Sequence, residues 1–395
     1  MTQPYPTGAL PMRSAETDRP CIYIACPWGP VGGGMFKVVD YLLQSSHASR
    51  DPDAATLLPL DTRGGGSAFS SMGVLVLALA RLARARMQGN LAGVHVNMAE
   101  RLSVVRKGAV IVFCRLVRVP VVLHLHAAQL HHSYRGLHPW LQSLVRWVFS
   151  LPASCVVLGQ ASADFVTQEL KVPADRVEIV INGVPEPKVR RRQVATVARR
   201  VQRVLFVGNL SERKGVSDLL QALTQLELSN LPLEVTLAGG GDVEGYRSLA
   251  ERLNLGQNVR FNGWTGQDDV AQLLAQADVL VLPSYDEGLP LAILEALAHG
   301  VAVVCTPVGE IPNVLTDGVH ACFVTPGDPA SIAEGLLKVL KDRWLREALE
   351  ANGRELYEQQ FSLDRFSASV ARIHKRHFGV CGAPATDPLP KRKPL

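Results

Sequence analysis

The fold of this chain is decided by the segment VLPSYDEGLPLAILEALAHGVAVVCTPVGEIPNVL, Val281 to Leu315. The apolar run that ends at Ser284 is typical of a buried strand, and Pro290 stands where the first turn of a helix tolerates proline. The helix is expected to end at Gly300, and a second apolar run, VAVVCT, follows it. A strand, a helix and another strand in this order predict parallel strands joined by a helical crossover.

The same alternation of apolar runs and helical patterns extends through both halves of the chain. In the first half we predict the strands CIYIAC, VVLHLH, CVVLG and VEIVINGV. In the second half we predict the strands VLFVGN, LEVTLAGGG, VRFNGW, DVLVLPS, VAVVCT and ACFVTP. With 395 residues the chain exceeds what one hydrophobic core usually organises. We therefore predict an α/β protein made of two doubly wound, Rossmann-like domains.

Composition sets the predicted domain boundaries. The segment that follows Pro185 is basic, punctuated by proline and weakly periodic, which is typical of a linker. The first residues are polar and proline-rich and the last are proline-rich and basic, so we expect disorder at both ends. The predicted parts are a disordered tail over 1–19, an N-terminal domain over 20–185, a linker over 186–202, a C-terminal domain over 203–361, a C-terminal helix over 362–378 that can return to the first domain, and a disordered tail over 379–395.

Cysteine spacing and hydropathy exclude several classes of protein. The seven cysteines are scattered and show no Cys-x-x-Cys pair, so we interpret them as reduced core thiols without disulfides or a zinc site. The N-terminal stretch lacks the apolar region of a secretory signal. The longest apolar run, Met72 to Ala80, falls short of the roughly 20 residues that span a bilayer. The sequence therefore predicts a cytoplasmic protein that is soluble or peripheral to a membrane.

Positive charge is concentrated in the first half, although the net charge of the whole chain is only +5. Such a one-sided field attracts the phosphates of nucleic acid, anionic lipid or a pyrophosphate-bearing substrate, and a solvated helical face is the alternative. No aromatic stacking platform interleaves the basic residues, so nucleic-acid binding is not expected. Between residues 81 and 146 a single acid, Glu100, opposes ten basic residues: Arg81, Arg84, Arg86, Arg101, Arg106, Lys107, Arg115, Arg118, Arg135 and Arg146.

Two glutamates of the Val281–Leu315 segment suggest a binding site. Glu287 lies in the loop at the carboxyl end of the predicted strand, and Glu295 lies about one and a half turns into the helix. The backbone N–H groups of Gly288 and Leu289 stand at the helix N-terminus, where anions bind. Ligands of open parallel sheets bind at this edge, so N–H groups flanked by carboxylates predict a sugar-nucleotide site. A surface glutamate is the alternative, but Glu295 lies in an apolar helix where a charge is costly.

A second junction of strand, loop and helix is FVGNLSERKG, Phe206 to Gly215. Arg213 and Lys214 precede its last glycine, and a lysine there can reach a diphosphate as a point charge. Exposed Lys-Gly loops are common, so this motif alone is less specific.

The first predicted strand leads into the glycine-rich loop PWGPVGGGMF, which contains Gly33 and Gly34. Glycines permit close backbone approach to a phosphate or sugar, and a simple tight turn is the alternative. The loop lacks the G-x-G-x-x-G register of dinucleotide-binding proteins, which disfavours a Rossmann oxidoreductase.

Histidines cluster at a strand end in HLHAAQLHH, residues 124–132. No carboxylate lies among them, so no metal site is expected. A strand-end histidine that hydrogen-bonds to a substrate hydroxyl is the preferred interpretation, and a structural histidine is the alternative.

These four stretches, in this order, resemble the family 4 retaining glycosyltransferases, which have the GT-B fold. The resemblance covers residues 20 to 378 and is strongest from Val259 to Gly327, where the two glutamates separated by seven residues are the most specific mark. It implies two domains that face each other across a cleft, the first binding the acceptor and the second the nucleotide sugar. It also implies no metal or other cofactor.

The resemblance implies a role for each candidate residue. Glu287 would hold hydroxyls of the donor sugar near the reacting carbon, and Glu295 would bind the nucleotide ribose. Lys214 would sit on the donor diphosphate with the two N–H groups of the Glu287 loop, and His126 would touch the donor sugar. The remaining positions are Gly33 and Gly34 beside the diphosphate and Ser162 and Asn182 at the cleft margin.

One position departs from the family pattern. The family usually has an arginine directly after the glycine of the diphosphate strand, and this chain has Asn209 there. One of two expected cations is therefore absent, and Arg213 is the residue that can compensate for it.

The implied reaction moves a hexose from a nucleotide diphosphate to an acceptor hydroxyl with retention of the anomeric configuration. The residue sequence of the Val281–Leu315 segment resembles that of bacterial exopolysaccharide mannosyltransferases that use GDP-mannose. This similarity implies a polyprenyl-diphosphate-linked oligosaccharide as the acceptor. The basic, partly apolar segment Met72 to Arg118 would then rest on the anionic inner face of the cell's inner membrane.

Two other functions remain open at this point. A sugar-nucleotide epimerase on the same architecture should carry general acid and base side chains rather than this pair of glutamates. A non-catalytic nucleotide-sugar-binding module is the second alternative, because Asn209 removes a cation.

Overall fold

Two parallel sheets of six strands form the framework of the protein, as seen in a computed structural model. The structure describes residues 19–28, 33–48, 54–66, 68–100, 102–127, 130–189, 201–225 and 231–381. The chain divides into two units. The first comprises Met1–Ile181 and Leu363–Leu395, and the second comprises Asn182–Ser362.

The sheet of the first unit has the strand order β2-β1-β3-β4-β5-β6. The order reverses at β1, so the loops after β1 and β3 flank the point where ligands of doubly wound sheets bind. The strands are β1 Cys21–Cys26, β2 Thr56–Asp61, β3 Leu91–Met98, β4 Val121–Leu125, β5 Ser154–Val157 and β6 Val177–Ile179. The helices are α1 Gly34–Ala48, α2 Ala68–Met87, α3 Leu102–Leu116, α4 Leu130–Arg135, α5 Pro139–Ser150 and α6 Gln160–Gln168.

The core of the first unit lies between this sheet and its helices. Leu82 of α2, Ile111 of α3 and Phe149 of α5 are fully or almost fully buried in one cluster with strand residues such as Val96 and Leu123. The strands are apolar on both faces because helices cover a parallel sheet from both sides.

A helix from the other end of the chain, Leu363–Phe378, completes the first unit. His374 Nε2 lies 2.8 Å from His95 Nδ1 of β3, and Arg376 forms an ion pair with Glu178 of β6. The Phe378 ring lies 2.4 Å from where a Cβ on Gly93 would stand, so only glycine lets the helix approach this strand so closely.

The sheet of the second unit has the strand order β12-β11-β10-β7-β8-β9. Read from β9, this is the order 3-2-1-4-5-6 of the dinucleotide-binding fold, which reverses between β7 and β10. The strands are β7 Gln202–Val207, β8 Leu233–Ala238, β9 Val259–Gly263, β10 Val279–Leu282, β11 Ala302–Cys305 and β12 Cys322–Phe323. The described helices are Val216–Leu223, Val243–Arg252, Gln267–Gln276, Leu291–Ala298, Ile311–Val314, Pro329–Lys341 and Arg343–Leu356.

The first residues of the second unit lie beside its last residues. Val184 N donates to Phe361 O at 2.9 Å, and Arg354 forms an ion pair with Glu186 at 2.8 Å. The unit therefore begins at Asn182, three residues before the end of the predicted first domain. Of the predicted linker 186–202, residues 190–200 lie outside the described residues.

Several predicted elements need correction. β2 and β3 were not predicted, although β3 is an inner strand. The strand VEIVINGV is shorter than predicted, because β6 pairs only with β5 and the pairing stops where Val157 faces Ile179. Residues 379–381 of the predicted disordered tail are placed, since Ala55 N donates to Cys381 O at 2.8 Å. The remainder of that tail, and residues 1–18 of the other, lie outside the described residues.

Candidate active site

Three loops lie side by side at the carboxyl edge of the second sheet. They follow β7, β10 and β11, and β10 stands between the other two strands. The loop after β7 contains Arg213 and Lys214, and the loop after β10 contains Glu287. These two loops flank the reversal of strand order, which is where ligands bind in this fold.

Glu287 is the centre of this edge and only 6% exposed. Its Oε1 accepts a short hydrogen bond from Lys214 Nζ and another from Ser284 Oγ at 2.7 Å. Arg213 Nη1 lies 3.8 Å from the other carboxylate oxygen and donates to the backbone O of Asp286 at 2.6 Å. The structure thus gathers two cations and one carboxylate that the sequence assigned to donor binding.

Two glycines let the loops approach each other. Gly215 has a φ of +67°, and a Cβ there would stand 2.0 Å from Pro283 O. Gly309 has a φ of +61°, and a Cβ there would stand 1.8 Å from Glu287 O. Any side chain at either position would displace the backbone that carries Glu287. The sequence alone indicated no role for either glycine.

The backbone of the Glu287 loop offers free donors. Within the described part of the chain, the N–H groups of Gly288 and Leu289 donate to no protein acceptor. They precede the helix Leu291–Ala298, whose N-terminus adds a partial positive charge. An anion placed here would gain both the donors and the helix dipole.

Glu295 is located in the second turn of that helix and is also 6% exposed. Its burial agrees with the expectation that it occupies an apolar environment. Its backbone O accepts hydrogen bonds from N and Nδ1 of His299, the latter at 2.8 Å. It is not among the described groups that contact Glu287.

Asn209 is exposed and faces a glycine loop that sequence reasoning had assigned only to the end of a strand. Leu210 N donates to Gly240 O at 2.7 Å, and a Cβ on Gly241 would stand 3.1 Å from Asn209 Oδ1. The loops after β7 and β8 are therefore in contact. A side chain longer than asparagine at position 209 would therefore lie against the glycine loop after β8.

In the first unit, His126 directly follows β4. Its Nε2 lies 2.8 Å from Asn97 Oδ1 of β3, and its N–H donates to Met98 O. Desolvation lowers the pKa of His126 to about 3, with a smaller contribution from His95. The ring is therefore neutral at physiological pH and is oriented by Asn97, which sequence reasoning did not identify.

A chain of three buried imidazoles runs beside His126. His374 Nε2 lies 2.8 Å from His95 Nδ1, and His95 Nε2 lies 3.3 Å from His124 Nδ1. Burial lowers the pKa of His95 to about 4 and those of His124 and His374 well below their usual value. His124 Nδ1 thus faces His95, whereas its buried Nε2 has no hydrogen-bond partner among the described residues.

The remaining candidates are three residues of the first unit and Asn182, the first residue of the second unit. Gly33 and Gly34 are exposed at the start of α1, and the preceding residues 29–32 lie outside the described residues. Ser162 is half-buried in the first turn of α6. Asn182 is buried, and its Oδ1 has no hydrogen-bond partner among the described residues.

Lys107, which we counted among the basic residues of the first unit, is buried rather than exposed. It is only 1% exposed, its Nζ bonds to Thr62 Oγ1, and burial lowers its pKa to about 7. It therefore adds nothing to a surface field. Arg135 is paired with Glu169 at 2.6 Å, which also reduces that field.

Neither a metal site nor a membrane span is found in the described part of the chain. No group of three or more His, Cys, Asp or Glu side chains there could hold a metal ion. No helix in these ranges is long and apolar enough to cross a bilayer.

The fold matches that of a solved structure that contains UDP. The solved structure of HepE from Anabaena in complex with UDP and glucose superposes with a TM-score of 0.70 at 19% identity. The match covers 89% of this chain and 98% of that one. The two parallel sheets therefore share the fold of that structure, which is the GT-B fold.

A family comparison matches the second unit. Residues 190–356, less than half of the chain, match the family described as glycosyl transferases group 1. An uncharacterized glycosyltransferase of Methanocaldococcus jannaschii is 27% identical over 275 residues, 66% of this chain and 70% of that protein. The phosphatidyl-myo-inositol mannosyltransferase of Mycobacterium leprae is 34% identical over 225 residues, 55% of this chain and 59% of that protein.

Proposed function

We propose that this protein is a retaining hexosyltransferase that moves mannose in α linkage from GDP-mannose to a polyprenyl-diphosphate-linked oligosaccharide in bacterial exopolysaccharide biosynthesis. The observation that carries the proposal is the cluster of Lys214, Arg213 and Glu287 beside the free N–H groups of the Glu287 loop. The protein would act on the cytoplasmic side of the inner membrane, without a metal.

The cluster suits a nucleoside diphosphate sugar. Lys214 and Arg213 supply positive charge for the diphosphate, and the N–H groups of Gly288 and Leu289 supply directed donors. Glu287 accepts hydrogen bonds from sugar hydroxyls, and Glu295 is assigned to the ribose. The structure of HepE, which has a similar fold, contains UDP, and this supports the proposal that the present protein binds a nucleotide.

The residues would promote the reaction without a protein nucleophile. The bond between the anomeric carbon and the diphosphate oxygen breaks, and the acceptor oxygen bonds to that carbon on the same face. The proton of the acceptor hydroxyl passes to the leaving diphosphate. Lys214, Arg213 and the N–H groups stabilise the charge that develops on the diphosphate, and positioning supplies much of the remaining rate.

Mannose is proposed as the hexose on two grounds. The residues of the Val281–Leu315 segment resemble those of the acetan-pathway GDP-mannose:cellobiosyl-diphosphopolyprenol α-mannosyltransferase. The Mycobacterium leprae relative is likewise a mannosyltransferase, on a lipid acceptor. The cell's other common nucleotide sugars are the competing donors in the test below.

A lipid-linked acceptor is supported by an exposed apolar surface on α2, α3 and α5 of the first unit. The three helices are in contact in this order along the unit. The side chains carry apolar surface between basic residues, the composition that binds anionic interfaces. The large exposed apolar residues of these helices are Met72, Val76, Leu77 and Met87 of α2, Leu102, Val105 and Leu116 of α3, and Trp140, Leu144 and Trp147 of α5.

The test offers purified protein a panel of radiolabelled GDP- and UDP-sugars together with membrane extract. The measured quantities are label in the lipid fraction and the anomeric configuration of the product by NMR. We expect label from GDP-mannose, and loss of transfer by a factor of about 100 or more in Glu287→Ala and Glu295→Ala. Lys338→Ala, an exposed lysine of the second unit, is the matched control.

Other outcomes identify other functions. Label from a UDP-sugar alone would replace the donor and keep the enzyme class. Conversion of the nucleotide sugar with no product in any acceptor fraction would indicate an epimerase. Donor binding with no turnover would indicate a binding module, and wild-type transfer by both glutamate variants would remove the proposed site.

A further inference from the structure

A second basic site lies on the first unit, at the amino ends of β4 and β5. A cavity of about 530 Å³ opens between the C-terminal ends of α3 and α5. Three arginines line it, Arg115, Arg118 and Arg176, and no carboxylate does. Its remaining walls are apolar or backbone: Ile111, Val119, Pro120, Val121, Leu151, Pro152 and Ala153.

The positive charge of this cavity is not neutralised by the protein. Within the described residues, none of the three guanidinium groups forms an ion pair with a carboxylate. Arg176 Nη1 makes only a long contact of 3.4 Å with Ser150 O. Three like charges around one cavity repel one another unless an anion joins them, and arginine pairs most strongly with the oxygens of phosphate.

The backbone at Arg118 adds an independent observation. Arg118 has a φ of +56°, the left-handed conformation that normally ends a helix with glycine or asparagine. An arginine is not needed to make this turn and costs more there than glycine. The turn is also fixed, because Val119 N donates to Cys114 O at 2.9 Å. This turn places Arg118 among the residues that line the cavity.

This cavity is separate from the candidate active-site residues of the same unit. It borders Val121, the first residue of β4, whereas His126 follows the last residue of that strand. Five strand residues at about 3.3 Å each place the two ends roughly 16 Å apart. A ligand in the cavity therefore does not occupy the position of the donor sugar.

Two exposed apolar side chains stand next to the cavity. Leu116 is adjacent to Arg115 in the chain, and Trp147 lies one helical turn before Leu151. A site that joins guanidinium groups to exposed apolar surface matches a phosphate attached to an apolar group.

We propose that Arg115, Arg118 and Arg176 form a binding site for a phosphate ester, distinct from the nucleotide-sugar site. The ligand is either the headgroup of an anionic phospholipid or a soluble phosphate monoester. Both place phosphate oxygens among the three guanidinium groups, and the exposed Leu116 and Trp147 would contact the apolar part of the lipid. The site does not depend on the transfer reaction.

The test measures binding of glycerol 1-phosphate by calorimetry and binding to phosphatidylcholine vesicles with and without phosphatidylglycerol by flotation. The site variant is Arg115→Gln with Arg118→Asn and Arg176→Gln, where asparagine suits the left-handed residue. The control variant is Lys171→Asn with Arg372→Gln and Lys375→Gln. It also removes three charges of the first unit, one of them at a left-handed residue.

We expect saturable binding that weakens by about a hundredfold in the site variant and less than threefold in the control, because each charged hydrogen bond is worth about tenfold or more. Binding of glycerol 1-phosphate identifies a soluble ester, and binding only to phosphatidylglycerol vesicles identifies a lipid headgroup. The single variant Arg176→Gln, tested beside the triple, excludes misfolding as the cause. No saturable binding by the wild type, or equal losses in the site and control variants, would overturn the proposal.

Discussion

Lys214 and Glu287, which are 73 positions apart in the sequence, form an ion pair that joins the loop after β7 to the loop after β10. Both side chains are largely withdrawn from solvent, and Ser284 donates to the same carboxylate oxygen as Lys214. The pair therefore fixes a cation and an acceptor at the point where the strand order reverses. Under the proposed function, neither side chain has to move in from solvent when the nucleotide sugar binds.

Replacement of Lys214 by alanine should lower kcat/KM for the nucleotide sugar by a factor of about 100 to 1,000. The change removes a cation from the proposed diphosphate site and leaves the buried Glu287 with one partner fewer. Lys338→Ala, at an exposed site, should keep wild-type kinetics. A folded Lys214→Ala protein with unchanged kcat/KM would show that this lysine does not contact the donor.

Arg213 should replace the arginine that the family usually has at position 209. Arg213→Gln is expected to raise KM for the donor by about tenfold, since one charged hydrogen bond is lost. Asn209→Arg added to that variant should restore most of the affinity, because a longer cation at 209 reaches over the adjacent glycine loop. Steady-state kinetics of the single and double variants measure the compensation. Additive losses in the double variant would contradict it.

Gly309→Ala should destabilise the second unit by more than about 2 kcal/mol, because it combines a strained φ with a contact of 1.8 Å to Glu287 O. Gly318 provides the matched control. Its φ is +70°, but nothing lies within 4 Å of a Cβ there, so Gly318→Ala should cost only about 1 kcal/mol. Urea unfolding measures both free energies. Equal losses would show that the Gly309 contact relaxes without cost.

Stability should fall in mild acid because of the buried histidines. Burial lowers the pKa of His95 to about 4, whereas an unfolded histidine titrates near 6.5. The unfolded chain therefore binds protons first, and stability is lost as the pH falls from about 6.5 towards 4. His95 alone should cost about 2 kcal/mol of unfolding free energy at about pH 5.

Urea unfolding at neutral and mildly acid pH measures this loss. His374→Gln removes one titrating ring from the chain and should reduce the pH dependence. His132→Gln, at an exposed histidine, should leave it unchanged. A wild-type protein whose stability does not change between these pH values would refute a neutral histidine chain in the core.

The fold was predictable from the strands that carry apolar residues on both faces. CIYIAC and VAVVCT are of this kind, and the structure confirms the two doubly wound sheets they imply. β3 was missed because LAGVHVNM contains Gly93, His95 and Asn97, which weaken the apolar pattern of a strand. Both Gly93 and His95 contact the helix Leu363–Phe378. The partner of His95 is His374, which lies 279 positions away in the sequence.

The candidate site shows the same division between local and distant information. The position of Glu287 at a strand end followed from the sequence, because a strand, a loop and a proline-initiated helix are adjacent in the chain. The contact of Glu287 O with Gly309 and the role of Asn97 beside His126 did not follow. Both depend on which strands are neighbours, and residue spacing does not encode that order.

The helix Leu363–Phe378 has a consequence for how the protein is made. The second unit is continuous in sequence, whereas the first needs a segment that is synthesised after the whole of the second unit. During synthesis the second unit can therefore finish folding while His95 and Gly93 still lack their partners. The nascent first unit then carries an uncovered strand surface until this helix has been synthesised, which reverses the usual order in which the N-terminal part folds first.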